Sequence, residues 1–284
     1  MKRSKKLNSL LKYLSLTLLC VFMTICANTA YAQWHCGIGT GLFRLNVDGD
    51  LGFNTNIEGP AEFEVDLAPD DINDLMASAF GFGGYAAKGK WMIQYSLSML
   101  ELEDDPTLVI QSHPDIYTTI YSEFGFDTTG AEITVGYMVF ENETISLRLI
   151  GGVRFTKHEL EYDLKIVGRL EDVLAILSGN DIEDWTQSND IDEDWTDALV
   201  GASIGIPLSD KWVWNTTFNA GFGGSEGTYL ANTGLTWRFH KRWTATFYGK
   251  ITAVEYENED KGDADWYLYD ADEFGWGITV LFNW

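Results

Sequence analysis

The residue types that could do chemistry are few in this chain, and most fall in three stretches. Four histidines occur, His35, His113, His158 and His240. His158 is followed by Glu159 and Glu161, and a carboxylate that orients an imidazole makes a general base. Ser112, His113 and Asp115 put nucleophile, base and acid types into one stretch. Neighbours in sequence rarely form such a pair, because the base must reach the nucleophile oxygen. No catalytic residue is assigned from this pattern. Asp190-x-Asp192-x-Asp194 opens like a calcium loop. Its sixth position is Trp195, where the turn needs Gly, and its twelfth carries no Glu. The three carboxylates therefore stay weak candidates for a divalent cation, and no cofactor is predicted. Cys36 reads as a small apolar filler.

The elements that must position these residues begin after residue 32. Lys2, Arg3, Lys5, Lys6 and Lys12 precede an apolar run, Leu14 to Ala27, and Ala30-Tyr31-Ala32 supplies the small residues of a cleavage site. This pattern predicts a secretory signal peptide over 1–32, cut near Ala32, and a single domain over 33–284. The leader takes Cys20 and Cys26 with it, so Cys36 has no intramolecular disulfide partner. The chain of 284 residues has 43 acidic and 19 basic side chains, a net charge of −24. That sign excludes a partner bound by phosphate neutralisation, so no nucleic acid is expected. With 11 Trp and 28 Gly, the composition is not that of a disordered acidic tail.

From residue 34 onward the sequence alternates. Trp91, Ile93, Tyr95, Leu97 and Met99 share one face of a segment, and Ile145, Leu147, Leu149, Gly151 and Val153 share one face of another. Period two means strands. Ten such segments are predicted: roughly 34–45, 76–87, 91–101, 129–140, 145–157, 195–206, 212–221, 228–239, 243–255 and 274–284. Short connections (88–90, 141–144, 207–211, 240–242) alternate with mostly long ones (about 47–75, 102–128, 166–194 and 256–273). The remaining connection, 222–227, is short. Leu170, Val173, Leu174 and Leu177 have helical spacing, and 71–76 suggests a second helical turn. All five prolines lie outside the strand interiors, as sheet hydrogen bonding requires.

Ten antiparallel strands can pack around a dry centre or close into a barrel that faces lipid. Three features favour lipid. Mid-strand charges, Glu132, Arg148, Arg154, Arg238 and Lys250, fall on the polar faces and are expected to form a lumen network, with Glu132 meeting Arg148 or Arg154. Aromatics cluster beside the short turns: Trp34, Trp91, Trp212, Trp237, Trp243 and Trp284 read as an interfacial girdle. Charge follows connection length. The connections 47–75, 166–194 and 257–273 carry 26 of the 43 acidic residues, whereas the short turns carry Lys88, Lys90, Lys211, Lys241 and Arg242.

The last segment alternates Phe274, Trp276, Ile278, Val280, Phe282 and Trp284 with Gly275, Gly277, Thr279, Leu281 and Asn283. This resembles the C-terminal signal of bacterial outer-membrane β-barrels of the small OmpA-, OmpW- and Opa-like kind. The stretch 194–201, Asp-Trp-Thr-Asp-Ala-Leu-Val-Gly, followed by Leu208-Ser-Asp-Lys-Trp212, looks like a theme of such barrels, with Ala198 where Pro is expected. The resemblance covers the mature chain as a pattern. It implies an all-β, closed, antiparallel up-and-down transmembrane barrel of about ten strands, with eight as the fallback, in the bacterial outer membrane. It also implies contact with outer-membrane lipid and lipopolysaccharide, and delivery to the barrel-assembly machinery through the C-terminal strand. Such a fold carries many functions. The expected role is structural, surface-interacting or a narrow cation-preferring pore, and non-enzymatic. The alternative is a hydrolase at the outer rim, an omptin-like protease or a lipid-modifying enzyme. The omptin Asp-x-His arrangement is absent around His158.

Overall fold

The computed structural model describes residues 34–55, 59–67, 76–104, 107–113, 116–167 and 185–284, apart from 262 and 264. The leader, the 170–177 segment and 71–75 lie outside these residues. Twelve strands form one sheet: β1 (His35–Thr55), β2 (Gly59–Leu67), β3 (Met76–Lys88), β4 (Trp91–Asp104), β5 (Thr107–His113), β6 (Ile116–Glu141), β7 (Ser146–Val167), β8 (Trp185–Pro207), β9 (Trp212–Phe222), β10 (Gly227–His240), β11 (Trp243–Glu257) and β12 (Tyr267–Asn283). Among the described residues there is no helix. Ten strands make the closed wall, all antiparallel to their neighbours. β2 and β5 stand outside the ring, as hairpin partners of β1 and β6.

Closure satisfies the backbone of the first and last strands. β1 pairs with β12 from Gly37↔Asn283 to Phe53↔Tyr267. Trp284 N–H donates to the Cys36 carbonyl at 3.0 Å, and Cys36 N–H donates to the Trp284 carbonyl at 3.2 Å. On its other side β1 pairs with β3 from His35↔Ala87 to Thr40↔Phe82, so the ring closes at the short-turn end, and the paired amides there need no partner from hydrocarbon.

The strands run farther than the alternating segments predict. Much of the acidic sequence assigned to connections is paired strand: β1 continues to Thr55, β8 starts at Trp185 and β12 starts at Tyr267. The reason is a change of phase. On β12 the apolar residues from Phe274 to Phe282 point outward, but Tyr267, Tyr269 and Ala271 point inward and are buried. β7 switches likewise. Leu149 and Val153 are exposed on the outer wall, whereas His158 and Leu160 are buried inside. Because side chains alternate strictly along a strand, apolar residues that change parity have changed face.

The lower, short-turn half of the wall is therefore apolar outside. Ile93, Val135 (43% exposed), Leu149 (53% exposed), Phe247 and Trp276 all face outward. Each strand gives about nine residues, or eight steps, to this band, for example Trp243 to Ile251 on β11. At ~3.4 Å per residue and ~40° tilt, that spans about 21 Å along the barrel normal, close to an outer-membrane hydrophobic thickness. Above the band the wall turns acidic outside and apolar inside.

Candidate functional site

The interior of the acidic, outer half holds the densest cluster of unusual side chains. Leu51 and Phe53 from β1, Leu160 from β7, Trp195 from β8, Val254 and Tyr256 from β11, and Tyr267, Tyr269 and Ala271 from β12 form one buried core. His158 sits inside it. Its ring meets Tyr269, Trp195 and Phe126 edge-on, at centroid distances of 4.6, 4.9 and 5.1 Å. Its Nδ1 lies 2.8 Å from the Tyr267 hydroxyl. β7 and β12 are five places apart in a ring of ten, so this hydrogen bond spans the full bore. Trp195 stacks on Tyr256 at 4.1 Å, joining β8 to β11. Burial pushes the His158 imidazole down to about 3 and raises the Tyr267 and Tyr269 hydroxyls well above their ordinary range. A base held neutral in an aromatic cage, above the membrane band and closed to water, is built for packing.

A second cluster lies next to the core. Asp197 on β8 is fully buried. It accepts from the backbone N–H groups of Gly224 (3.1 Å) and Ser225 (2.8 Å), and from the hydroxyls of Ser225 and Thr228 (2.8–3.0 Å). Donors on every side replace the water that a buried carboxylate loses. The short 222–227 connection is thereby pinned inward. This gives a structural meaning to the Asp-Trp-Thr-Asp stretch: Trp195 fills the core and Asp197 ties the turn. The sequence marks the stretch but not these roles, because the donors lie about thirty residues downstream.

The predicted lumen charges divide between levels. Glu132 on β6 accepts from Arg154 on β7 at 2.7 and 3.0 Å, and Arg154 also reaches Asn219 Oδ1 at 3.3 Å. Register explains the choice, because Glu132 stands directly opposite Arg154. Arg148 stands opposite Met138, nearer the short turns, and lies over Gly136. Lys250 Nζ is 5.9 Å from the Phe43 ring. Arg238 is exposed at the short-turn end. At that end Trp91, Trp237 and Trp243 are exposed on the outer wall. Trp212 stacks on Trp237 (5.5 Å), and Trp284 stacks on Phe282 (5.8 Å). Trp34 and Trp284 pack over buried Cys36.

The remaining chemical residues do not converge. Glu159 and Glu161 project from the outer wall, on the face opposite His158, because strand neighbours alternate. Asp190, Asp192 and Asp194 are exposed at alternate outward positions of β8, about 7 Å apart along the strand, and Asp192 pairs with Lys157 at 2.9 Å. Among the described residues no group of three His, Cys, Asp or Glu could hold a metal ion. His240 accepts from Arg242 N–H at 3.3 Å in a short turn. His113 is the last residue of β5, while Asp115 lies outside the described residues.

On the outer wall carboxylates stand opposite one another strand after strand. One row is Glu101, Asp127, Glu159, Asp192 across β4, β6, β7 and β8. A second is Glu64, Asp50, Asp270, Glu255 across β2, β1, β12 and β11. Partial burial, helped by Glu101, Glu159, Glu161 and Glu103, pushes the Asp127 carboxyl up to about 6.

Solved structures are similar to this chain at low identity. The chain is similar to the translocator domain of the autotransporter NalP from Neisseria meningitidis, with 11% identity, 97% of each chain covered and a TM-score of 0.44. It is similar to the outer membrane protease OmpT from Escherichia coli, with 9% identity, 88% of this chain and 96% of that chain covered, and a TM-score of 0.39. It is also similar to Ail, the attachment invasion locus protein of Yersinia pestis, at 11% identity, 88% and 97% coverage and a TM-score of 0.29. No protein-family model and no curated protein matches the chain. The closed ten-stranded wall, its outward apolar band and its ionic lumen make this chain a transmembrane antiparallel β-barrel.

Proposed function

We propose that the protein is a sealed, non-enzymatic outer-membrane barrel that serves as a scaffold for surface interaction. The hydrogen bond between His158 and Tyr267, on diametrically opposed strands inside an apolar core, carries this reading. Ions do not cross a dry aromatic plug without displacing it, so a constitutive cation pore is disfavoured. A rim hydrolase using His158 is disfavoured by the same burial. The interaction surface is the acidic outer wall. Carboxylates directly opposite one another repel, and divalent cations shared with lipopolysaccharide phosphates relieve that repulsion. Folding machinery would be engaged through β12, whose outward aromatics end at Trp284.

Planar-bilayer recording tests the sealed state. The wild-type barrel should show no stable conductance steps, whereas a Trp195→Gly/Tyr256→Ala variant should show them. Steady steps from the wild type would contradict the reading. A turnover on peptide or lipid that disappears in a His113→Ala or His158→Ala variant would favour the hydrolase instead.

A further inference from the structure

A groove of about 680 Å³ opens on the membrane-facing wall beside the turn that joins β3 to β4. The turn is tight. Gly89 has φ +57°, a left-handed position that favours glycine, and it sets Lys88 and Lys90 on its two sides. Lys88 Nζ lies 5.7 Å from the Trp34 ring centroid, and Lys90 Nζ lies 5.9 Å from that of Tyr137. Among the described residues neither lysine forms an ion pair. Below the cations the groove is lined by Ile93 and Val135, which stand opposite one another on β4 and β6 and face outward within the apolar band. Trp91 packs edge-on against Tyr137 at 4.8 Å and stiffens one bank. From the turn toward the band, the groove offers two ammonium groups, then aromatic rings, then aliphatic surface.

That sequence of chemistries matches a glycerophospholipid lying along the wall. We propose that the groove binds one anionic phospholipid of the leaflet at the short-turn end. Its phosphate sits between Lys88 and Lys90, and an acyl chain runs over Ile93 and Val135. Phosphate satisfies the two ammonium groups, and aromatic rings suit the glycerol level of a bilayer. The groove is roomy enough for a headgroup and the first part of a chain. The proposal is independent of whether the lumen is sealed.

Native mass spectrometry of the folded barrel, released from detergent after addition of phosphatidylglycerol or phosphatidylcholine, tests it. The wild type should keep one phosphatidylglycerol under activation that strips phosphatidylcholine. Lys88→Gln/Lys90→Gln should lower that retention at least tenfold. Lys241→Gln/Arg242→Gln, which removes the same charge from another short turn, should leave it unchanged. Val135→Trp, which fills the groove and keeps both cations, should also lower it, and it reads the site if the lysine variant does not fold. Equal retention in the Lys88/Lys90 variant overturns the proposal. So does equal loss in the Lys241/Arg242 variant, which would mean charge attraction without a site. Equal retention of phosphatidylcholine overturns it as well.

Discussion

The two halves of the barrel wall are built from the same strands with opposite polarity. On β12, Phe274 to Phe282 put their apolar side chains outside and Gly275 and Gly277 inside. A few residues earlier on the same strand, Asp270 and Asp272 are outside and Tyr267, Tyr269 and Ala271 are inside. β7 repeats the inversion between Phe155 and His158. Hydrogen bonding is continuous across the boundary, so the backbone does not mark it. The solvent marks it. Where hydrocarbon surrounds the wall, apolar side chains gain nothing by facing inward, and the small bore takes the ionic groups. Where water surrounds it, the ordinary hydrophobic effect drives the rings into the bore. A barrel that leaves the bilayer thus becomes a conventional protein with a core.

The largest loss is expected from the outer core. Trp195→Ala should cost about 3–5 kcal/mol, the range for deleting a buried large ring. The loss should appear as proteolysis of the outer half, while the band keeps its heat-modifiable gel mobility. Leu149→Arg attacks the other half. A charge facing the mid-band should cost about 2–4 kcal/mol, read by urea unfolding in lipid vesicles. Asp197→Ala leaves the Gly224 and Ser225 donors without their acceptor and should cost about 2 kcal/mol, with cleavage appearing at residues 223–226.

The pH response sharpens the contrast. The folded pKa of His158 lies below the unfolded value, so the unfolded chain binds this proton first. Its contribution to stability is full above about pH 6.5 and is lost as pH falls toward 3. Asp127 acts with the opposite sign. Its folded pKa of about 6 exceeds the unfolded value, so its contribution is present below about pH 4 and lost as pH rises through 6. The outer half should therefore loosen on acidification, and His158→Gln should flatten that slope in a pH series of hydrogen exchange. The smallest effect belongs to the outer wall. Asp192→Asn removes one exposed charge from a row and should change stability by less than about 0.5 kcal/mol.

Much of the lower half was legible in the sequence. Ten alternating segments, the aromatic positions beside short turns and the ending on Trp284 all report one environment with one parity. The upper half was not, because alternation there continues with the opposite phase. Tyr267, Tyr269 and Ala271 break the parity of Phe274 to Trp284, and a parity break resembles the end of a strand. The acidic residues between them then read as loop. Ring closure across the bore was illegible for another reason, since His158 and Tyr267 are 109 residues apart and no local pattern links them. Pairing opposite Glu132 could be narrowed to two arginines, and register selects Arg154.

Spin labels on single cysteines, introduced after Cys36→Ala, test the inversion most directly. Labels at Leu149 and Ile93 should collide with oxygen and be shielded from a water-soluble nickel complex, while labels at Glu161 and Asp270 should show the reverse. Nickel access at Leu149 and Ile93, or immobile labels there shielded from both reagents as in a packed interior, would contradict it.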